Sequence, residues 1–115
     1  MTALLCDRNV EHLSADIRQR LEKMLKIMRL LGHPIFLVEG FRTEERQDHL
    51  YESGISPVRQ SYHESGLAID VAFKGDLPYS DSHPWDLLGM VGETLGLRWG
   101  GRWESRDMTH FELRG

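Results

Sequence analysis

In the first third of the chain, apolar positions repeat every three or four residues, which is the spacing of one helix face. The stripe begins after Ser14, a residue type that caps helix N-termini, and stops before Gly32, a residue type that ends helices. We therefore predict a helix over 14–31 whose apolar stripe packs into the core: Ile17, Leu21, Met24, Leu25, Met28 and Leu31.

The rest of the chain mixes shorter helix and strand patterns. Short apolar or alternating runs predict four strands, at 35–38, 68–73, 97–99 and 110–113. Capping residues predict two further helices, one that follows Thr43 and ends near 53–54, and one from Pro84 to Leu95 that is closed by Gly96. The elements follow no regular βαβ rhythm, so we expect an α+β fold with a small antiparallel sheet flanked by about three helices.

Composition and length indicate one globular domain, residues 1–115. Hydrophobic residues make up 40% of the 115 positions, and three Trp, three Tyr and four Phe can fill a core, which argues against disorder. The one cysteine, Cys6, cannot form an intramolecular disulfide, and we expect it to be a small buried or neutral residue. Six histidines beside eighteen acidic residues make a bound metal a candidate source of extra stability.

The charge and hydropathy of the chain exclude several partners. A net charge of −4 with scattered arginines argues against nucleic-acid binding, which needs a basic patch. No apolar run approaches the roughly 18 residues of a membrane span, so we expect no membrane insertion. The first residues do not form a signal peptide, which predicts synthesis in the cytoplasm.

Asp70 lies in the middle of the second predicted strand. Strand alternation puts Asp70 on one face between Ala68 and Ala72, and the large apolar residues on the other. Exposed strand faces ordinarily carry Thr, Lys or Glu, and Asp is disfavoured within strands. Two interpretations stay open: the face is simply exposed, or it is cleared of bulk so that Asp70 can bind a ligand.

Two histidines are candidates to join Asp70. His63 precedes the strand, and Gly66 permits the tight bend that would fold it back. In the last predicted strand His110 shares a face with Glu112, and pairing of the two strands would set His110 beside Asp70. Two imidazoles and one carboxylate make a three-ligand zinc site with the fourth position open to water, as in catalytic sites. Surface or hydrogen-bonded histidines are the simpler alternative.

Asp107 precedes His110 by three residues in a polar stretch. A tight turn there would bring its carboxylate close to a metal held by His110 without ligating it, which is where a general base must stand. An aspartate that only shapes the turn is the alternative.

These residues resemble a known family. Ser61-x-His63-x-x-Gly66-x-Ala68-x-Asp70, followed by Asp107-x-x-His110, is similar to the zinc peptidases of peptidoglycan. That superfamily holds D-Ala-D-Ala carboxypeptidases and dipeptidases, the L-alanyl-D-glutamate endopeptidases of phage lysins, and the hedgehog signalling domain. Further similar segments, which extend the resemblance over about 35–113, are Gly40-Phe41-Arg42-Thr43 with Gln47 and Tyr51, and 95–101.

The resemblance implies one zinc ion, a role for each site residue, and a peptidoglycan stem peptide as substrate. The implied ligands are His63, Asp70 and His110, and Asp107 is the implied catalytic base. Arg42 matches the family arginine that binds substrate and stabilises the developing oxyanion, a task suited to a fixed planar charge. Ser61 matches the serine that hydrogen-bonds substrate. Glu112 either orients a ligand or is a solvated strand carboxylate. We expect a monomer.

The details resemble one branch of the family. Carboxypeptidases and dipeptidases typically carry Glu at the base position and Trp before the last histidine, whereas this chain has Asp107 and Thr109, similar to the L-alanyl-D-glutamate endopeptidases. That branch usually has a longer Gly/Pro/Lys-containing segment where this chain has 55–60.

The expected activity is therefore that of an L-alanyl-D-glutamate endopeptidase of the phage or prophage endolysin type. It would act on the cell wall after release through a holin-type pore or from a virion. The alternatives are a D,D- or L,D-carboxypeptidase on the same scaffold, or a noncatalytic zinc-stabilised module that binds cell wall or protein.

Overall fold

The computed structural model describes residues 5–114, which contain three α-helices and one four-stranded antiparallel sheet. The helices are α1 (Ala15–Leu30), α2 (Glu44–Glu52) and α3 (Trp85–Thr94), and the strands are β1 (Ile35–Glu39), β2 (Ala68–Phe73), β3 (Arg98–Trp99) and β4 (His110–Glu112). The strand order is β1-β2-β4-β3. The expected α+β class is confirmed, and each predicted element is present within two residues of its expected ends.

Helix α1 forms where its cap and apolar stripe predict it. The Ser14 hydroxyl accepts a hydrogen bond from the Ile17 N–H at 3.3 Å, and the inward face of the helix is fully buried at Ile17, Leu21, Met24 and Met28. Leu31 was predicted to share this stripe, but its exposed fraction is 49%. The helix ends at Leu30, so Leu31 is its C-cap residue and no longer follows the helical spacing.

Strand β2 lies in the interior of the sheet, between β1 and β4. Ile69 and Val71 are fully buried on one face, and Ala68 and Ala72 are fully buried on the other. The interpretation of the alanine face as simply solvent-exposed is therefore wrong. Asp70 is the one residue of β2 that is not fully enclosed, and this sets its carboxylate at a gap in an otherwise covered surface.

Cys6 is exposed, so the expectation of a buried residue is wrong, and that of a neutral residue stays a prediction. Trp85, at the start of α3, packs into the core. Among residues 5–114, no helix combines the length and the apolar character that crossing a bilayer requires.

Candidate metal centre and cleft

His63 lies on a single 3-10 turn, Tyr62–Ser65, that leads into β2. Ser61 caps this turn, because its hydroxyl accepts a hydrogen bond from the His63 N–H at 3.2 Å and its own N–H donates to the Glu64 carboxylate at 3.1 Å. Gly66 ends the turn at a φ of 67°, a left-handed conformation that glycine adopts without strain. The chain thus bends back as predicted and carries His63 inside, where it is 1% exposed.

Asp70 and His110 are direct neighbours across the β2–β4 pairing. His110 Nδ1 lies 3.1 Å from Asp70 Oδ1, and His63 Nε2 lies 3.5 Å from Asp70 Oδ2. One ligand atom from each of the three residues falls within 4.8 Å of the other two. Within residues 5–114 this is the one group of three or more His, Cys, Asp or Glu side chains with such spacing.

The hydrogen bonds of His63 leave one ring nitrogen ready for a ligand. His63 Nδ1 lies 2.7 Å from the Gly40 carbonyl oxygen, and since a carbonyl can only accept, Nδ1 carries the proton. Nε2 therefore holds a lone pair, and it is buried with no hydrogen-bond partner among the described residues. A buried polar atom without a partner is costly unless it binds something. With a second imidazole and a carboxylate beside it, the donor set fits a divalent cation of the zinc type.

Glu112 and Trp103 hold the imidazole of His110. Glu112 Oε1 lies 2.7 Å from His110 Nε2, and the Trp103 ring lies 5.1 Å from the imidazole, centroid to centroid. Burial disfavours the charged imidazole, but the hydrogen bonds to Asp70 and Glu112 outweigh it and raise the pKa of His110 to about 9. Burial likewise opposes ionisation of Asp70, yet the hydrogen bond with His110 and the close approach of His63 hold the pKa of that carboxyl well below its usual value. Since Glu112 is 4% exposed, it orients His110 rather than standing in solvent.

Asp107 lies on the turn that enters β4. The His110 N–H donates to the Asp107 carbonyl at 3.3 Å, and the Asp107 N–H donates to the Gly100 carbonyl at 2.9 Å. A Cβ at position 100 would lie 2.4 Å from the Asp107 carbonyl oxygen, so the close approach requires glycine there. The carboxylate lines the cleft, where partial burial and the nearby negative charge of Asp70 raise its pKa. A raised pKa suits a carboxylate for taking up a proton near neutral pH.

Arg42 reaches the same cluster from the loop between β1 and α2, with Nη2 at 3.6 Å from Asp70 Oδ2. Two buried side chains hold its guanidinium: Nη2 donates to Glu39 Oε1 and Nη1 donates to Gln47 Oε1, each at 2.8 Å. Its Nε is buried and has no hydrogen-bond partner among the described residues. The guanidinium is therefore fixed in orientation, with Nη2 near Asp70 and an unused donor at Nε.

Glu39 is a residue of this site that the sequence reasoning missed. It pairs with Asp70 across β1 and β2, after a register shift between Leu37 and Glu39, and such bulges redirect side chains near active sites. It is 4% exposed and also accepts a hydrogen bond from Arg46. Burial opposes its ionisation, but its two arginine partners outweigh burial and lower the pKa of Glu39. The available signal was a carboxylate that ends an apolar strand directly before Gly40.

The cluster lies within a cleft of about 780 Å³. The structure brings together all six site residues predicted from the sequence, because each of them lines this cleft: Arg42, Ser61, His63, Asp70, Asp107 and His110. The short segment 55–60, here called the rim segment, lines it with Ile55, Pro57 and Val58. Trp103 also lines the cleft.

Comparison with known proteins agrees with this geometry. Residues 55–113, just over half of the chain, match the peptidase M15 family model described as D-alanyl-D-alanine carboxypeptidase. The chain is a member of the peptidase M15 family. The matched residues of this M15 member include the Ser-x-His turn, β2 and β4, so the predicted relation to the peptidoglycan peptidase superfamily is confirmed.

The chain is similar to two L-alanyl-D-glutamate endopeptidases and to a D,D-pentapeptidase. The peptidoglycan L-alanyl-D-glutamate endopeptidase CwlK of Bacillus subtilis (strain 168) is 32% identical over an alignment of 103 residues, and the match covers 71% of this M15 chain and 62% of CwlK. The chain thus spans less than two thirds of that relative's length. The L-Ala D-Glu endopeptidase ChiX of Serratia marcescens has the same fold at 24% identity, with a TM-score of 0.72 over 96% of this chain and 89% of ChiX. The D,D-pentapeptidase VanY, solved with Zn(II), has it at 17% identity, with a TM-score of 0.68 over 90% of this chain and 73% of VanY.

Proposed function

We propose that this chain is a zinc-dependent peptidase that hydrolyses the L-alanyl-D-glutamate bond of the peptidoglycan stem peptide. The observation that carries the proposal is the cluster of His63, Asp70 and His110, which lines an open cleft and includes a buried imidazole nitrogen with no hydrogen-bond partner among the described residues. The similarity to CwlK supports the choice of bond.

Each group in the cleft has a distinct task. His63 Nε2, an Asp70 oxygen and His110 Nδ1 would hold the metal, which when bound supplies Lewis-acid polarisation of the scissile carbonyl and acidifies water. The Asp107 carboxylate takes a proton during attack and returns it to the leaving amine. Arg42 donates hydrogen bonds to the carbonyl oxygen as negative charge develops there. Ser61, beside His63, hydrogen-bonds the substrate backbone.

Product identification tests the proposal. The protein is loaded with zinc and incubated with purified stem peptides, and the products are analysed by mass spectrometry. We expect fragments with a new N-terminal D-Glu, and no hydrolysis after chelation. Intact peptides after incubation with fully loaded protein would overturn the peptidase proposal and favour a noncatalytic wall-binding or protein-binding module. Metal analysis of the purified protein identifies the ion, since the same ligands also bind nickel or manganese.

A carboxypeptidase is the second candidate, because the matching family model is described as D-alanyl-D-alanine carboxypeptidase. It makes a different product in the same assay. Release of free D-Ala, with the L-Ala–D-Glu bond intact, would assign this chain to D,D- or L,D-carboxypeptidase chemistry instead.

A further inference from the structure

Gln47 is a fully buried side chain of α2 whose amide is shared between two parts of the cleft. Its Oε1 accepts a hydrogen bond from Arg42 Nη1 at 2.8 Å. Its Nε2 donates to Val58 O at 2.7 Å and to Ser56 Oγ at 3.0 Å, both in the rim segment. Since an amide nitrogen has two hydrogens, both donors of Gln47 are occupied.

The rim segment has little other support beyond its first residues. The N–H groups of Ile55 and Ser56 donate to the Leu50 carbonyl at the end of α2. Among the described residues, the only hydrogen bond between residues 57–60 and a group outside the rim segment is the one that Gln47 donates to the Val58 carbonyl. The remaining contact is the Arg59 guanidinium over the Tyr51 ring, at 4.7 Å from its centroid.

The rim segment itself faces the space that a ligand would fill. Ile55 is 71% exposed and Val58 is 48% exposed, and both line the cleft. When a ligand covers exposed apolar side chains at the edge of a cleft, the burial of their surface makes the free energy of binding more favourable. Their contribution to binding depends on the backbone of the segment being held in place, because ordering a loose loop costs conformational entropy.

We propose that Gln47 is a positioning residue that fixes the rim segment and Arg42 relative to each other. Because it is buried and fully bonded, it acts through these two groups and does not touch substrate. The rim segment then sets how tightly the stem peptide binds, while Arg42 acts on the reacting carbonyl. The assignment of substrate rests on the proposed function, whereas the mechanical link between rim and arginine does not.

Limited proteolysis tests the link without any assay of activity. Gln47→Glu keeps an acceptor for Arg42 but turns an oxygen toward the Val58 carbonyl, so the rim segment loses its anchor. Trypsin cleavage after Arg59, measured against cleavage after the exposed Lys74 in the same digest, should accelerate roughly tenfold, the factor that corresponds to one typical hydrogen bond. Gln19→Glu, the same change on the exposed face of α1, is the matched control. An unchanged Arg59-to-Lys74 ratio in Gln47→Glu would overturn the proposal.

Steady-state kinetics separates positioning from a general structural role. Gln47→Glu should raise KM for the stem peptide roughly tenfold with kcat nearly unchanged, whereas Gln47→Met, which also removes the acceptor of Arg42, should lower kcat as well. Equal loss of kcat in both variants would refute the division of labour. Ser56→Ala removes one rim partner at a half-buried position, and it should raise the Arg59 cleavage ratio by a smaller factor even if neither Gln47 variant folds.

If the wild-type chain hydrolyses no stem peptide, the proposed function fails. The proteolysis result would still show whether Gln47 holds the rim segment in place.

Discussion

Asp107 lines the same cleft as His63, Asp70 and His110, but it is not part of their cluster. Asp107→Asn keeps the shape of the side chain but removes its ability to take a proton. We expect it to retain the metal and to lose about 10²- to 10⁴-fold in kcat, which is the usual contribution of a general base. Metal analysis and the stem-peptide assay measure both properties.

Asp76→Asn, in an exposed loop, is the control for the change of charge. Activity of Asp107→Asn within a few-fold of the wild type would remove Asp107 from the mechanism. Loss of the metal in that variant would instead make Asp107 a ligand.

Glu39 stabilises two guanidinium groups that are largely removed from water, those of Arg42 and Arg46. Glu39→Gln removes the negative charge but not the volume, so we expect the free energy of unfolding to fall by about 2 kcal/mol, the range of a hydrogen bond to a charged group. Urea denaturation at pH 7 measures this. Glu44→Gln, on the exposed side of α2, should change the same quantity by a few tenths at most. A Glu39→Gln variant as stable as that control would show that the network contributes little.

At the scale of elements, the turn before β4 packs closely against Gly100, and this contact positions both Asp107 and His110. A methyl group at position 100 would meet the Asp107 carbonyl oxygen at 2.4 Å and the His110 Cβ at 3.2 Å. We expect Gly100→Ala to lower the free energy of unfolding by about 2 kcal/mol, as overpacking does. We also expect zinc affinity, measured by competition with a coloured chelator, to fall at least about tenfold.

Gly89→Ala provides the comparison, because its methyl group would meet the Trp99 ring in the core instead of the turn. It should lower stability while leaving the zinc affinity of the folded protein unchanged. Equal losses of zinc affinity in the two variants would mean that general destabilisation, not displacement of His110, explains the effect.

The helices and β2 could be predicted from sequence because their signals are local. The Ser14 and Thr43 caps and the apolar stripe of α1 specify structure within a few residues, whatever lies elsewhere. The neighbourhood of Asp70 and His110 needed one long-range assumption, that their strands pair, and the alternation of each strand made that pairing specific.

What could not be predicted depends on contacts between distant segments. Ala68 and Ala72 are fully buried, and the residues of β2 alone do not specify what covers that face of the strand. Glu39 enters the site after a register shift between β1 and β2, and the residues around it do not show where that shift occurs. The two hydrogen bonds of Gln47 to the rim segment depend on how the segment returns past α2, which a short run such as 55–60 does not specify.

For the whole molecule, His110 couples stability to pH and to the metal. Its pKa is raised from 6.5 to about 9 in the folded protein, so it contributes stability that is fully present below pH 6.5 and is lost as the pH rises through about 9. The metal-free protein should therefore melt at progressively lower temperature between pH 6.5 and 9. Binding of a metal requires Nδ1 to lose its proton, so zinc should bind more tightly over the same interval.

Thermal melts with and without chelator, taken across that interval, measure both effects. Chelation should lower the melting temperature, and the gap between the two samples should widen as the pH rises. A His110→Gln variant should lose most of the pH dependence of the chelated protein. A chelated wild-type protein whose melting temperature is constant or rises between pH 6.5 and 9 would contradict this account.

The pairing of Asp70 with His110 also has a consequence for the order of events during synthesis. A growing chain that has emerged as far as β2 carries two of the three clustered side chains, and the third arrives only with β4, the last strand among the described residues. Because side chains alternate along a strand, β4 must then join β2 in one register, since a slip by one residue would turn His110 to the opposite face. The cluster is therefore incomplete until β4 has been synthesised, and on the proposed function the chain acquires activity only when β4 joins β2.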